Sequence, residues 1–191
     1  MATKFFEAAR GRGRIILTGK GEVSGMANPA MTARTTVEDP ATGIEGRKNL
    51  ADNLSGLLAD STILFVKTQA VHWNVVGPLF YGMHNLTEEQ YRDLFEAIDV
   101  IAERIRALGH PAPCSVAEMI PLSVIQEFDG PATAEDMVET LASDHEKIST
   151  RLRDIVGLAE DQKDAATADL LTGRLHFHEK AVWMLRAILT R

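Results

Sequence analysis

A single cysteine, Cys114, excludes an intramolecular disulfide and fits a reducing compartment. No apolar run approaches the ~20 residues that cross a bilayer. Near the N-terminus the longest such run is Ile15-Ile16-Leu17, too short for the core of a secretion signal. A cytoplasmic protein with no membrane span is therefore the expectation. No glutamate has a histidine three positions later. That absence argues against a di-iron centre assembled inside one helical bundle from two Glu-x-x-His motifs.

What is present is an acidic body behind a basic arm. The net charge is −7, yet Lys4, Arg10, Arg12, Arg14 and Lys20 face only Glu7 in the first twenty residues. Residues 1–46 are rich in Gly, Ala, Thr and Arg and lack sustained periodicity. They are expected to form a mobile basic arm, with a short ordered piece around Arg14–Thr18. Residues 47–191 are expected to form one all-α domain of four helices.

The first helical stripe runs from Arg47 through Leu54, Leu57, Leu58, Ser61, Leu64, Phe65, Thr68, His72 and Val75, at threes and fours. Gly77-Pro78 ends it. The second helix is expected from about Tyr81 to Leu108, with Leu94, Phe95, Ile98, Ile101, Ala102, Ile105 and Leu108 inward and Gly109 as its stop. Residues 110–131 read as a long, partly apolar crossover with a short helix near Ser115–Met119. Thr133 to Asp136 has the form of a capping signal and opens a third stripe, from Met137 to Ala159. A fourth stripe follows from Leu171 to Leu189. Short, long and short connections give a four-helix bundle with one crossover.

The chemistry concentrates between His72 and Glu103. His84, Glu88, Asp99 and Glu103 are spaced by four, eleven and four residues, which at about 100° per residue puts them within roughly a 100° arc of one helix face. Yet His84 and Glu103 are 19 residues apart, or ~28 Å along the axis. First-shell metal bonds of about 2.0–2.2 Å cannot span that distance. Either the two halves serve different purposes, or an antiparallel second copy brings one chain's His84 and Glu88 opposite the other's Asp99 and Glu103. Ionisable groups gathered on one face are rarely buried unless paired or metal-bound. Mixed imidazole and carboxylate ligands suit iron, with zinc or manganese as competitors.

The residues HWNVVGP, the twelve-residue step from His72 to His84 in MHNLTEE, and AIDVIAERIRALG closely resemble the Dps proteins (DNA-binding proteins from starved cells), the mini-ferritins. SDHEKI and HFHEKAVWMLRAIL resemble that family's third and fourth helices. The resemblance covers about residues 47–190. It implies a ferritin-like bundle and a homo-dodecameric shell. It also implies ferroxidase activity, in which Fe(II) is oxidised between subunits, preferably by hydrogen peroxide, and stored as ferric mineral. The implied site takes His72, His84 and Glu88 from one chain and Asp99 and Glu103 from its neighbour. Glu88 departs from the family's usual Asp.

The acidic stretch between the third and fourth helices, with Asp161, Asp164 and Asp169, corresponds to the region near the family's three-fold pores. Three copies would concentrate negative potential there. The Arg-Gly-Arg-Gly-Arg run in the arm, repeated twelve-fold, points to phosphate contact with DNA through Lys4, Arg10, Arg12, Arg14 and Lys20. The competing reading is a nucleoid-compacting structural protein whose metal site is vestigial or zinc-filled. Trp73 is expected beside the metal site or in the core. His145 and His178 read as hydrogen-bonded core histidines, with accessory metal ligation as the alternative; His110 and His176 read as exposed.

Overall fold

The four stripes become four long helices in a computed structural model that describes residues 42–128, 130 and 132–190. They are α1 (Arg47–Asn74), α2 (Phe80–Ala107), α4 (Ala134–Asp161) and α5 (Ala165–Leu189), with a one-turn helix α3 (Val116–Met119) in the crossover. The five arm cations and the expected ordered piece at Arg14–Thr18 lie outside the described residues.

Short turns pair α1 with α2 and α4 with α5, and α1 also packs on α4. Leu54 and Leu64 of α1, Leu94 and Ile101 of α2, Ile148 and Leu152 of α4, and Leu171 and Leu185 of α5 are fully buried in one shared core. Each such side chain contributes about 1.5–3 kcal/mol by leaving water. Phe95 departs from its expected inward place. It is 66% exposed, because it leans along α1 toward Phe65 rather than into the bundle.

Local sequence sets the helix ends. Thr133 accepts from the Asp136 amide while the Asp136 carboxylate accepts from the Thr133 amide, a complete capping box. At the end of α2, Gly109 takes φ +88°. Its amide bonds the Arg106 carbonyl, and the His110 amide bonds that of Ile105, so the last carbonyls of the helix are satisfied. Ser115 caps α3 by accepting from the Glu118 amide.

Two buried charges on α1 hold the crossover to the bundle. Asp60 accepts from the Ser123 hydroxyl and the Val124 amide, each at 2.8 Å, and from Arg151 at 2.6 Å. Burial raises its pKa despite these partners. Lys67 donates to the Gln126 carbonyl at 2.6 Å and to Asp144 at 2.5 Å. Removing one partner of such a buried pair leaves the other charge without compensation. The crossover is thus tethered along the α1 flank.

Candidate metal centre

His72 sits in the last turn of α1 and His84 in the second turn of α2, so the turn at Gly77-Pro78 folds one back upon the other. The two imidazole rings stack with centroids 3.8 Å apart and planes 17° from parallel. His72 Nδ1 lies 2.8 Å from the His84 carbonyl oxygen, and His84 Nδ1 lies 3.0 Å from that of His72. A carbonyl can only accept. Both Nδ1 atoms therefore carry a proton, so the neutral form of each ring has its lone pair on Nε2. Fixing the tautomer through a backbone carbonyl is the usual way of preparing a metal-binding imidazole.

Aromatic packing holds the pair in place. Tyr91 meets the His72 ring edge-on at 5.2 Å and Phe65 at 6.3 Å, and Phe80 lies 5.2 Å from His84. Tyr91 went unnoticed in the sequence, although it follows His84 by seven residues, two helical turns on the same face. Trp73 is 66% exposed, so it does not belong to the core of its own chain.

The carboxylates lie farther along α2. Glu88 is half-buried and paired with Arg92 one turn on, while Asp99 and Glu103 are exposed. Among the described residues, no three His, Cys, Asp or Glu side chains of one chain converge on a point that could hold a metal ion. His72 and His84 are brought together; Asp99 and Glu103 are not brought to them.

A family model described as the ferritin-like domain matches residues 51–191. A low temperature-induced protein of Nostoc is 43% identical over 147 residues, covering 76% of this chain and 82% of that protein. DNA protection during starvation protein 2 of Bacillus anthracis is 38% identical over 144 residues, covering 75% of this chain and 99% of the relative. The chain belongs to the Dps family. A crystal structure of the Vibrio cholerae Dps protein, described as a member of the ferritin-like diiron-carboxylate superfamily, matches with a TM-score of 0.72 and 31% identity. It covers 75% of this chain and 91% of its own.

Within this Dps subunit the acidic stretch separates into different environments. Asp161 ends α4 and Asp169 lies inside α5, both exposed, so the turn itself is shorter than its acidic sequence implies. Asp164 is not a free carboxylate. It is 2% exposed, accepts the Thr167 amide at 3.0 Å as the cap of α5, and takes both oxygens to Arg104 at 2.7 Å. Burial opposes its ionisation, but hydrogen bonds from Arg104 and Thr167 outweigh that cost and lower its pKa.

His145 and His178 are both buried, as expected for core histidines, and bond to each other through Nδ1 atoms 2.8 Å apart. His176 is exposed; His110 is half-buried rather than open, at the turn that closes α2.

Proposed function

We propose that this Dps-family protein detoxifies and stores iron. Ferrous iron is the substrate, bound where His72, His84 and Glu88 of one subunit face Asp99 and Glu103 of a second copy. Each of two Fe(II) ions gives up one electron. Hydrogen peroxide accepts both as its O–O bond breaks, and with two protons it leaves as water. Peroxide reduced in one two-electron step forms no hydroxyl radical. The ferric product is stored as mineral in a shell of twelve subunits.

The observation that carries this reading is the reciprocal bonding of His72 and His84, which leaves two imidazole lone pairs ready for a metal. The missing half of the ligand set supports a site completed by another copy. Borderline imidazole nitrogen with hard carboxylate oxygen suits Fe(II), and zinc or manganese would compete for the same donors. The exposed Asp161 and Asp169 are the residues of the acidic stretch left to attract cations at a pore. A cytoplasmic location accords with the chemistry. Among the described residues no helix is long and apolar enough to cross a membrane.

The deciding experiment follows Fe(II) oxidation optically in the purified protein, with peroxide and with oxygen alone. Rapid oxidation driven by peroxide is expected; oxidation no faster than in protein-free buffer would sink the proposal and favour a purely structural, DNA-compacting role.

Relatives bear the name DNA protection during starvation protein, and the basic arm gives a chemical route to DNA. Deleting residues 2–20, which removes Lys4, Arg10, Arg12, Arg14 and Lys20, is expected to abolish gel retardation of duplex DNA and leave iron oxidation intact. Binding by the full chain should weaken steeply with salt, through counterion release. Equal retardation by truncated and full-length protein would exclude the arm as anchor.

A further inference from the structure

The buried histidine pair of α4 and α5 lies outside the iron site proposed above. His145 and His178 are 0% and 1% exposed, and their Nδ1 atoms are at hydrogen-bond distance. One ring must donate and the other accept, so the two hold opposite tautomers. The His145 Nε2 is also buried and meets no hydrogen-bond partner among the described residues. The neutral pair supplies this arrangement, and burial disfavours a charge on either ring; with both rings protonated, neither Nδ1 keeps a lone pair to accept. A second proton at the junction would set two N–H groups against each other at 2.8 Å, inside an apolar core.

The surrounding charges do nothing to relieve that state. From α5, the Arg174 guanidinium stacks on Phe177 at 4.4 Å, and Phe177 in turn lies against both histidine rings. From α2, Asp93 is bonded to Arg174 at 2.5 Å rather than to either imidazole. From α1, Lys67 is closed on Asp144 and the Gln126 carbonyl. At the outer seam between α4 and α5, Glu179 is paired with Arg153, and Glu139 and Glu146 with Arg186. Burial, with the positive charge of Arg174, lowers the His145 pKa to about 3; burial, then His145 and Arg174, lowers that of His178 well below the ordinary 6.5.

We propose that the His145–His178 hydrogen bond is an acid-released latch between α4 and α5, closed while both rings are neutral and opened when both are protonated. The direction of the effect follows from linkage. Histidines whose folded-state pKa is depressed add stability above their unfolded value near 6.5, and lose it as pH falls toward the folded value. The seam ion pairs of Arg153 and Arg186 are left in place when the two histidines are replaced, so a difference between the two pH profiles belongs to the latch.

The test compares the full-length chain with a double variant, His145→Leu with His178→Leu, by urea unfolding at a series of pH values from about 7.5 to 4.5. Circular dichroism reports helix and light scattering reports assembly. As pH falls below about 6, the wild-type unfolding constant should rise relative to the variant's by up to about 100-fold per pH unit, the signature of two extra protons taken up on unfolding. Parallel pH profiles would overturn the latch. Should the variant fail to fold, hydrogen exchange at the histidine C2 positions of the wild-type chain, read by mass spectrometry, decides the same point. Both rings are expected to stay neutral until helical signal is lost. Titration of either ring near its ordinary pKa in the folded protein would overturn the proposal.

Discussion

Two histidine pairs in one subunit have opposite chemistry, and the difference lies in what each Nδ1 meets. His72 and His84 give their Nδ1 protons to backbone carbonyls at the rim of the α1–α2 turn. Their Nε2 lone pairs remain available. His145 and His178 spend their Nδ1 atoms on each other, inside the bundle and against Phe177, on whose ring Arg174 stacks. The first pair is the one proposed to bind iron, whereas the second is buried beside a charged arginine, where an added positive charge is disfavoured. Residue type alone did not separate them. The hydrogen-bond partner and the depth of burial did.

The contrast is sharpened most by removing one member of each pair. His84→Ala deletes a proposed iron ligand at a half-buried position and should reduce peroxide-driven Fe(II) oxidation by at least about ten-fold, the scale on which even groups behind the metal ligands act. Its circular dichroism and thermal midpoint should change little. His145→Ala should do the reverse. It leaves the His178 Nδ1 buried without a partner, a loss of about 1–3 kcal/mol visible in thermal unfolding at neutral pH, with iron oxidation per folded shell unchanged. Equal loss of oxidation in both variants would erase the distinction.

A smaller effect is expected at Asp164, the acidic residue that caps α5 and pairs with Arg104. Asp164→Ala removes the cap of α5 and the partner of Arg104, and should lower stability by about 1–2 kcal/mol at neutral pH. Because the folded-state pKa is depressed, this contribution is full above the ordinary value of 3.8 and fades as pH falls below it. Wild type and variant should therefore converge in stability toward pH 2, measured by urea unfolding. A gap that persists at that pH would show the carboxylate's ionisation to be irrelevant.

Most of the architecture was legible in the sequence because it depends on period and on local bonds. The stripes at threes and fours gave four helices, Thr133–Asp136 gave a capping box, and Gly109 gave the stop of α2. The ligand spacing on α2 gave a distance no single chain can close, which accords with the absence of a converged ligand set among the described residues. Contacts between elements were not legible. Phe95 continues the inner stripe by count, but helix–helix packing turns it outward. Asp164 reads as one more acidic loop residue until the fold brings Arg104 to it from sixty positions away. The bond between His145 and His178 likewise depends on the register of two helices, which no local pattern states.

The central claim is that one metal centre needs two chains, and co-assembly tests it most directly. His84→Ala and Asp99→Ala shells should each be nearly inactive in peroxide-driven Fe(II) oxidation. Where the two chains meet across a two-fold contact, one site collects both lesions and the other is whole. Shells reassembled from an equal mixture, with mixing verified by mass spectrometry, should regain roughly a quarter of wild-type activity. A centre built within one chain allows no recovery, since every chain carries a lesion. Mixed shells as inactive as their parents would contradict the shared site.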